Sequence, residues 1–497
     1  MEGFDMMLLN SLYAYAPFQR QFGTQLADGS YELSADWQSS LSIGAFGGQI
    51  LGLFINGIIA DRFGYRRTLI GALVACCAFI FIIFFSETKV QLLLGEMCIG
   101  IPWGVFQTIT ITYASEVCPT HLRAYLTTYV NLCWVIGQFI ASGVLRAMLT
   151  RDDEWGYKIP FALQWMWPVP LMVGIWLAPE SPWWLVRHNR LDDAKRSLLR
   201  LTTHNPDVSF LPDETISMMI YTNEIEKRTE AGTTYMDLFK NINLRRTEIV
   251  CITWMIQTWS GNTFSSYSTY FYEQAGLATE SSFSMTLGQY GLGAVGTILS
   301  WFLMRRFGRR TLYLAGQVVM CALLFIIGCT SFAGAGKPAA QWTAGSMMLL
   351  YTFIYNCTVG PVCYSLVSEL PSTRLRVKST VLARNAYNVS CIVSNLITPR
   401  MINLGAWNWG TKSGFFWAGS CLLCAVWTYF RLPEPRGFTY AELDVLFENR
   451  VSARKFGGTR VETLRAHAVE ADGKDAVDES VVERVHVSDR CSVKETN

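Results

Sequence analysis

The chain has 497 residues, 51% of them hydrophobic, 13% aromatic and only 16% charged, with a net charge of +2 at pH 7. Soluble domains average about 25% charged residues; here the charges gather between long apolar runs, which is the pattern of a multi-pass membrane protein and not of a soluble enzyme. The balance of charge offers no basic tract for nucleic acid; the 14 cysteines lie mostly inside apolar runs, and the five histidines form no ligand pair, so no metal and no cofactor is expected.

Roughly 17–25 apolar residues cross about 30 Å of hydrocarbon. In chain order such spans are predicted near 38–60, 68–86, 92–114, 124–147, 160–178, 248–272, 283–304, 311–331, 343–367, 380–403 and 412–431. A shorter first span runs from Phe4 to about Phe18, with Glu2 and Asp5 at its start and no charged region or cleavage site of a signal peptide. Counting it, an all-α membrane protein of twelve transmembrane helices is expected, in two pseudo-symmetric halves of six. Residues 1–182 form the first half, with its first helix truncated, and 183–245 a linker with short surface helices. Residues 246–431 form the second half and 432–497 a largely disordered tail.

Two cassettes occur twice, in the same order, at the ends of apolar runs. Asp61-Arg62-Phe63-Gly64-Tyr65-Arg66-Arg67-Thr68 returns as Arg305-Arg306-Phe307-Gly308-Arg309-Arg310-Thr311. Ser115-Glu116, with Arg123 seven positions after the Glu, returns as Ser368-Glu369 with Arg376. Pro179-Glu180 is echoed by Pro433-Glu434. A duplicated half-unit of membrane helices is the mark of a two-fold transporter with its substrate site between the halves. Lysine and arginine concentrate in the loops that carry these cassettes, so those loops and both termini are expected on the cytoplasmic side. Guanidinium groups fork onto carboxylates, so Glu116 and Glu369 are expected at helix ends, bonded to arginines of the Gly-Arg loops. Asp61, Arg62, Arg66, Arg67, Arg123, Glu180, Arg305, Arg306, Arg309, Arg310 and Arg376 complete this cytoplasmic gate. Its ion pairs would be closed when the cavity opens outward. Asn356-Cys357-Thr358 and Asn388-Val389-Ser390 have the glycosylation pattern but fall inside spans, where no acceptor is used.

Ionisable residues inside spans mark pathways. Glu2, Asp5, Glu96, Arg146 and Arg384 stand out, and Glu2 and Asp5, three apart, are expected on one helix face. A sugar requires hydrogen-bonding amides and an aromatic face. Gln49, Gln107, Asn131, Gln138, Gln257, Asn262, Asn356, Asn385 and Asn388 supply the amides, and Trp259 to Tyr272 is an aromatic-rich run.

These motifs resemble the sugar porter family of the major facilitator superfamily over nearly the whole chain. They are the Gly-Tyr-Arg-Arg and Gly-Arg-Arg loops, Pro179-Glu180-Ser181-Pro182, and Pro433-Glu434-Pro435-Arg436-Gly437 with Leu446-Phe447-Glu448-Asn449. Glu2-Gly3-Phe4-Asp5, Pro102 to Thr108, Tyr113 to Pro119, Pro182 to Arg187 and Asn243 to Val250 narrow the resemblance to fungal α-glucoside (maltose-type) proton symporters. The resemblance implies proton coupling at Asp5 with Glu2, at Glu96 where many sugar porters set an arginine, and at Arg384 as counter-charge. It implies sugar binding by Asn131, Gln138, Gln257 and Asn385. The family's helix-seven Asn is displaced to Asn262 or Thr263, its second Gln is Thr258, and its helix-ten Trp is Tyr364. Gln49 stands where α-glucoside symporters often carry Glu. The expectation is a monomeric plasma-membrane importer of α-glucosides and protons, embedded in the lipid bilayer and without nucleic-acid or enzymatic function. Other readings are a carrier of another polyhydroxylated or natural-product-related solute, a uniporter, a non-transporting sugar sensor, and an impaired transporter with an incomplete first helix.

Overall fold

The computed structural model describes residues 1–25, 29, 31–117, 120–202, 212–230, 235–333, 337–371, 375–438 and 440–458. The expected disordered tail beyond residue 458 lies outside the described residues. The chain opens with α1 (Glu2–Leu12), α2 (Ala16–Phe22) and a small antiparallel pair, β1 (Thr24–Gln25) and β2 (Tyr31–Glu32). Four long helices follow: α3 (Ala35–Phe63), α4 (Tyr65–Phe84), α5 (Lys89–Val117) and α6 (Thr120–Met148). The helices α7 (Trp155–Ala162) and α8 (Pro168–Leu177), joined by a 3-10 turn, make one further crossing segment. Three surface helices, α9 (Pro182–Arg187), α10 (Leu191–Leu201) and α11 (Pro212–Glu230), lead to the second half.

There α12 (Asn241–Gln257), α13 (Thr263–Ser266) and α14 (Ser268–Gln274) form a broken run. It is followed by α15 (Thr279–Arg306), α16 (Arg309–Cys329), the pair α17 (Pro338–Cys357) and α18 (Val359–Glu369), α19 (Arg376–Ile402), α20 (Ser413–Arg431) and the short α21 (Tyr440–Glu448). Among the described residues nine helical segments are long and apolar enough to cross a bilayer. The other three expected spans correspond to α1, to the broken run α12–α14, and to α19. That last helix has the length, but Arg384, Asn385, Asn388, Asn395 and Arg400 dilute its apolar character.

Packing repeats along with sequence. The pair α3–α5 has its counterpart in α15–α17, α1–α6 in α12–α19, and α4–α8 in α16–α20. The halves meet where α6 lies along α15 and α3 along α19. Glycines set the closest approach, between α3 and α5. A Cβ on Gly48 would lie 2.1 Å from the Met97 carbonyl oxygen, and one on Gly52 2.1 Å from that of Ile101. From the other side, Gly100 and Gly104 meet the carbonyls of Ala45 and Gln49 at 2.3 and 2.2 Å. Small residues four apart let two membrane helices touch backbone to backbone, where dispersion and not hydrophobic exclusion supplies the attraction.

The Gly-Arg loops sit at one end of the bundle. At the opposite end the halves are stitched together. Arg146 pairs with Glu280, Arg400 Nη2 with Asp36 Oδ1 at 2.8 Å, and Asn403 Nδ2 donates to the Leu33 carbonyl at 3.2 Å. Tyr13 stacks on Tyr267 at 6.1 Å between centroids, and the hydroxyls of Ser42 and Tyr267 lie 3.0 Å apart.

Two breaks place polar backbone at mid-depth: Thr358 separates α17 from α18, and a π-type turn over Thr258–Asn262 interrupts the seventh crossing. Gly261 within it has φ +105°, a region costing a side-chain-bearing residue about 1–3 kcal/mol. A Cβ there would also lie 3.0 Å from Leu324 Cδ1. Gly261→Ala is therefore expected to lower the thermal midpoint of the purified protein by that free energy. An unchanged midpoint would show that the turn is not strained.

Candidate functional site

Residues from both halves enclose a cavity with about 530 Å³ of empty space. Helix α6 presents Asn131, Trp134, Val135 and Gln138, spaced as one face of a helix. The broken run contributes Gln257, Asn262, Ser265 and Ser266, and α15 contributes Tyr290. Thr352, Tyr355 and Asn356 come from α17, Tyr364 from α18, and Arg384 and Tyr387 from α19. A second space of about 580 Å³ shares Trp134, Gln138, Asn262, Ser266 and Tyr387 with the first and continues to α1 and α3.

The amides are partly engaged with the protein. Asn131 Nδ2 donates to Thr297 Oγ1 at 3.2 Å and to Asn356 Oδ1 at 3.1 Å. Tyr355 Oη donates to Gln257 Oε1 at 2.9 Å, while Gln257 Nε2 is buried without a protein partner. Tyr364 packs edge-on against Trp254, 5.1 Å between centroids. Asn385 is the exception among the expected sugar ligands, since it is not among the cavity-lining residues. On α19 the lining stripe is Arg384, Tyr387, Cys391 and Asn395; Asn385 lies one residue, about 100°, off that stripe. Tyr355, Tyr387, Trp134 and Tyr290 were not singled out from sequence, because an aromatic in an apolar span carries no signal of which face it occupies.

The ionisable residues fall into two separate groups. Glu2 accepts hydrogen bonds from Gln107 Nε2 and, at 3.4 Å each, from Gln49 Nε2 and Trp134 Nε1. Arg384 Nε donates to Gln107 Oε1 at 2.9 Å, and its guanidinium lies 4.7 Å from the ring centroids of both Trp254 and Tyr387. Glu2 and Arg384 are thus joined across the two halves through one glutamine. Asp5 points elsewhere despite its position three residues on. Gln164 Nε2 donates to its Oδ1, and its Oδ2 is buried without a partner, as is Glu96 Oε1. The counter-charge Arg384 therefore addresses Glu2 and not Asp5. Gln164, a lone amide in the apolar run 160–178, was the readable trace of the Asp5 contact.

At the Gly-Arg end the repeat becomes geometry. Glu180 accepts from the backbone N–H of Tyr65 at 3.1 Å and of Arg66 at 3.2 Å. Glu434 accepts from those of Arg309 at 2.9 Å and Arg310 at 3.0 Å. Each carboxylate caps the positive N-terminus of the helix that follows the loop. A Cβ on Gly64 or Gly308 would lie 2.7 or 2.1 Å from the Glu180 or Glu434 Oε2, so a side chain there would push the carboxylate off the amides it caps, and Gly64 also has φ +89°. Arg66 and Arg310 then donate to the carbonyls of Trp176 and Tyr429, in the last turns of α8 and α20. Burial pushes the Glu180 carboxyl above its usual range, opposed by the amide donors of Ser181, Arg66 and Tyr65. Glu180→Ala and Glu434→Ala are each expected to cost about 1–3 kcal/mol, read as a lower thermal midpoint. The glutamine variants should lose less, because their side-chain oxygen still accepts.

The second pair of acids diverges. Glu369 takes Arg309 Nη2 at 3.2 Å. Glu116 takes no arginine of its loop; it accepts from Tyr65 Oη and Arg187 Nη1, each at 3.2 Å, and from Ser181 Oγ. The cause is one position: the residue after the loop glycine is Arg309 in one copy and Tyr65 in the other. None of these bonds joins one half to the other; that of Arg187 ties the first half to the surface helix α9. The side chains of Asp61, Arg62, Arg67, Arg305 and Arg306 are exposed; Arg62 lies 5.7 Å over the Phe63 ring, and the Arg305 and Arg306 carbonyls accept from Arg436. The side chains of Arg123 and Arg376 lie outside the described residues.

Comparison with known proteins extends this geometry. Residues 1–447 match the family model described as sugar (and other) transporter. A general α-glucoside permease of Saccharomyces cerevisiae is 41% identical over 495 residues, covering 99% of this chain and 80% of the permease. The maltose permease MAL61 of the same organism is 42% identical over 493 residues, covering 97% of this chain and 80% of that permease. The xylose transporter XylE from E. coli, in a partially occluded inward-open conformation, superposes with a TM-score of 0.71 at 18% identity, covering 88% of this chain and 96% of XylE. That likeness establishes the fold.

Proposed function

The chain belongs to the sugar (and other) transporter family, and from that premise we propose that it imports an α-glucoside such as maltose together with protons. As a member it is a multi-pass membrane transporter with the major facilitator fold, not an enzyme. The α-glucoside reading draws on relatives named for α-glucoside and maltose transport. It also draws on a cavity with an unpartnered amide donor, Gln257 Nε2, beside tyrosines and tryptophan that offer faces to a sugar ring.

The observation that carries the coupled mechanism is the bond from Arg384 to Gln107, which links the Glu2 carboxylate of one half to a cation of the other. A proton on Glu2 removes the charge that holds α1 toward α19, so proton and sugar act on the same contact between the halves. Asp5 and Glu96, buried behind α1 with free carboxylate oxygens, serve as the second protonation locus. The basic residues of the Gly-Arg loops support a cytoplasmic position for that end of the bundle in a plasma-membrane protein, whereas Glu2 lies inside, bonded to Gln107. In that orientation the stitched end faces outward as a closed outer gate, and the charge contacts of Glu116 and Glu369 at the cytoplasmic end do not join one half to the other.

The test is uptake of labelled maltose, sucrose and glucose by a cell lacking its own sugar transporters. Maltose uptake that a protonophore abolishes is the expected result. Uptake indifferent to the protonophore would remove coupling, and no uptake of either disaccharide would remove the α-glucoside reading.

A further inference from the structure

In each half the last turn of the sixth crossing ends among arginines that hold no acid. At the end of α20, Arg310 Nη2 donates to the Tyr429 carbonyl at 2.7 Å, and its guanidinium lies 5.8 Å from the Tyr429 ring centroid. Arg454, from the 3-10 turn Ala453–Gly458 after α21, lies 5.8 Å from the same ring and 5.4 Å from that of Phe430. Neighbouring arginines are spent on carboxylates: Arg309 on Glu369, Arg246 on Asp444 and Arg431 on Glu248. Among the described residues Arg310 and Arg454 make no ion pair. Glu434 is taken by the backbone N–H groups of Arg309, Arg310 and Arg436. A guanidinium carries five N–H donors, and the Nε of Arg310 is buried without a protein partner. The rings of Tyr429 and Phe430 are exposed, and Val426, Leu423 and Leu422 continue the exposed stripe along α20.

The first half repeats the arrangement. Arg66 donates to the Trp176 carbonyl, and Arg200 Nη2, from α10, to the Leu177 carbonyl at 2.7 Å. Trp176 and Leu177 are exposed, and Val173 and Val169 extend their stripe along α8. A helix C-terminus attracts a cation. That alone does not explain two arginines without acids above an exposed apolar stripe, in both halves. Guanidinium groups fork onto phosphate oxygens, and aromatic residues sit at headgroup level. We propose that each arginine pair holds the phosphate of an anionic phospholipid. Its acyl chains lie along Val426 and Leu423 in one half, and along Val173 and Val169 in the other. The stripe selects a lipid over a free phosphate ester. A zwitterionic headgroup is disfavoured because it brings its own cation to two fixed ones. Both sites lie outside the central cavity and do not depend on which solute is carried.

The test is native mass spectrometry of full-length protein in detergent micelles, titrated with dioleoyl phosphatidylglycerol or dioleoyl phosphatidylcholine. Two phosphatidylglycerol adducts should form about tenfold or more tightly than those of the choline lipid, as expected for two basic groups beside one anionic headgroup. Arg454→Gln should remove one adduct and Arg200→Gln the other, with the monodisperse elution of the parent protein showing that each variant has folded. Arg454→Lys, which keeps the charge, should retain most of the affinity. Equal affinity of the parent protein for the two lipids would overturn the sites whether or not a variant folds. So would two phosphatidylglycerol adducts surviving in the double glutamine variant. Glycerol 3-phosphate displacing phosphatidylglycerol at equal concentration would replace the lipid sites with sites for a soluble phosphate ester.

Discussion

Arg384→Ala is expected to lower sugar uptake by at least about 100-fold, equivalent to about 2.7 kcal/mol, without a matching loss of protein from the membrane. The interactions that end at this guanidinium include the bond to Gln107 and two cation–π contacts, to Trp254 and Tyr387. Desolvated cation–π contacts are worth about 2 kcal/mol. Removing the cation also deprives the buried Glu2 of its counter-charge on the facing half. Part of the defect could then be structural, and Glu2→Gln in the same chain separates the two causes. If Arg384 matters only by neutralising Glu2, the double variant regains uptake. If it positions sugar and couples the halves, thermal stability returns and uptake does not. The second outcome is expected, measured as initial uptake rate against the amount of folded protein in the membrane.

Gly48→Val should fail more completely, with no folded protein recovered. Its Cβ would lie inside the contact distance of the Met97 carbonyl oxygen, a backbone atom in the middle of α5 that no rotamer change can move. Overpacking of well-packed cores costs about 1–3 kcal/mol, and here α3 and α5 would have to separate along the whole glycine seam. Gly47→Val supplies the control, because a Cβ at Gly47 has nothing within 4 Å. The measurement is the monodisperse fraction on size-exclusion chromatography. Equal recovery of the two variants would mean that the seam does not hold the first half together.

The helical runs and the charged loops were legible because hydrocarbon thickness and headgroup charge act on composition directly. Gly64 and Gly308, with Glu180 and Glu434, could be paired from their repetition alone. What escaped was the choice among neighbours. Glu116 was assigned an arginine of its own loop, yet the residue that reaches it from that loop is Tyr65, with Arg187 arriving from a surface helix. Glu2 and Asp5 were placed on one face because they are three apart, yet α1 is covered on every side, and a small angular difference sends one to α5 and the other to the α7–α8 segment. Asn385 had the right chemistry and the wrong phase. Sequence periodicity gives the spacing of a stripe, but its rotation about the helix axis is decided by neighbours far along the chain.

The duplicated acids Glu116 and Glu369 are 253 residues apart, and the same offset carries Asn131 to Arg384, Trp134 to Tyr387 and Gln138 to Cys391. The cavity-facing stripes of α6 and α19 are therefore one inherited stripe, used twice. Its geometry has been kept while its chemistry has drifted apart: amide, indole and amide on one wall, guanidinium, phenol and thiol on the other. An ancestral pore with matched walls would be electrically even-handed. In this one the fixed cation belongs to a single wall and the Glu2 carboxylate to the facing half, so parting the walls there also parts opposite charges, and any component of that parting along the membrane normal is work against the membrane voltage.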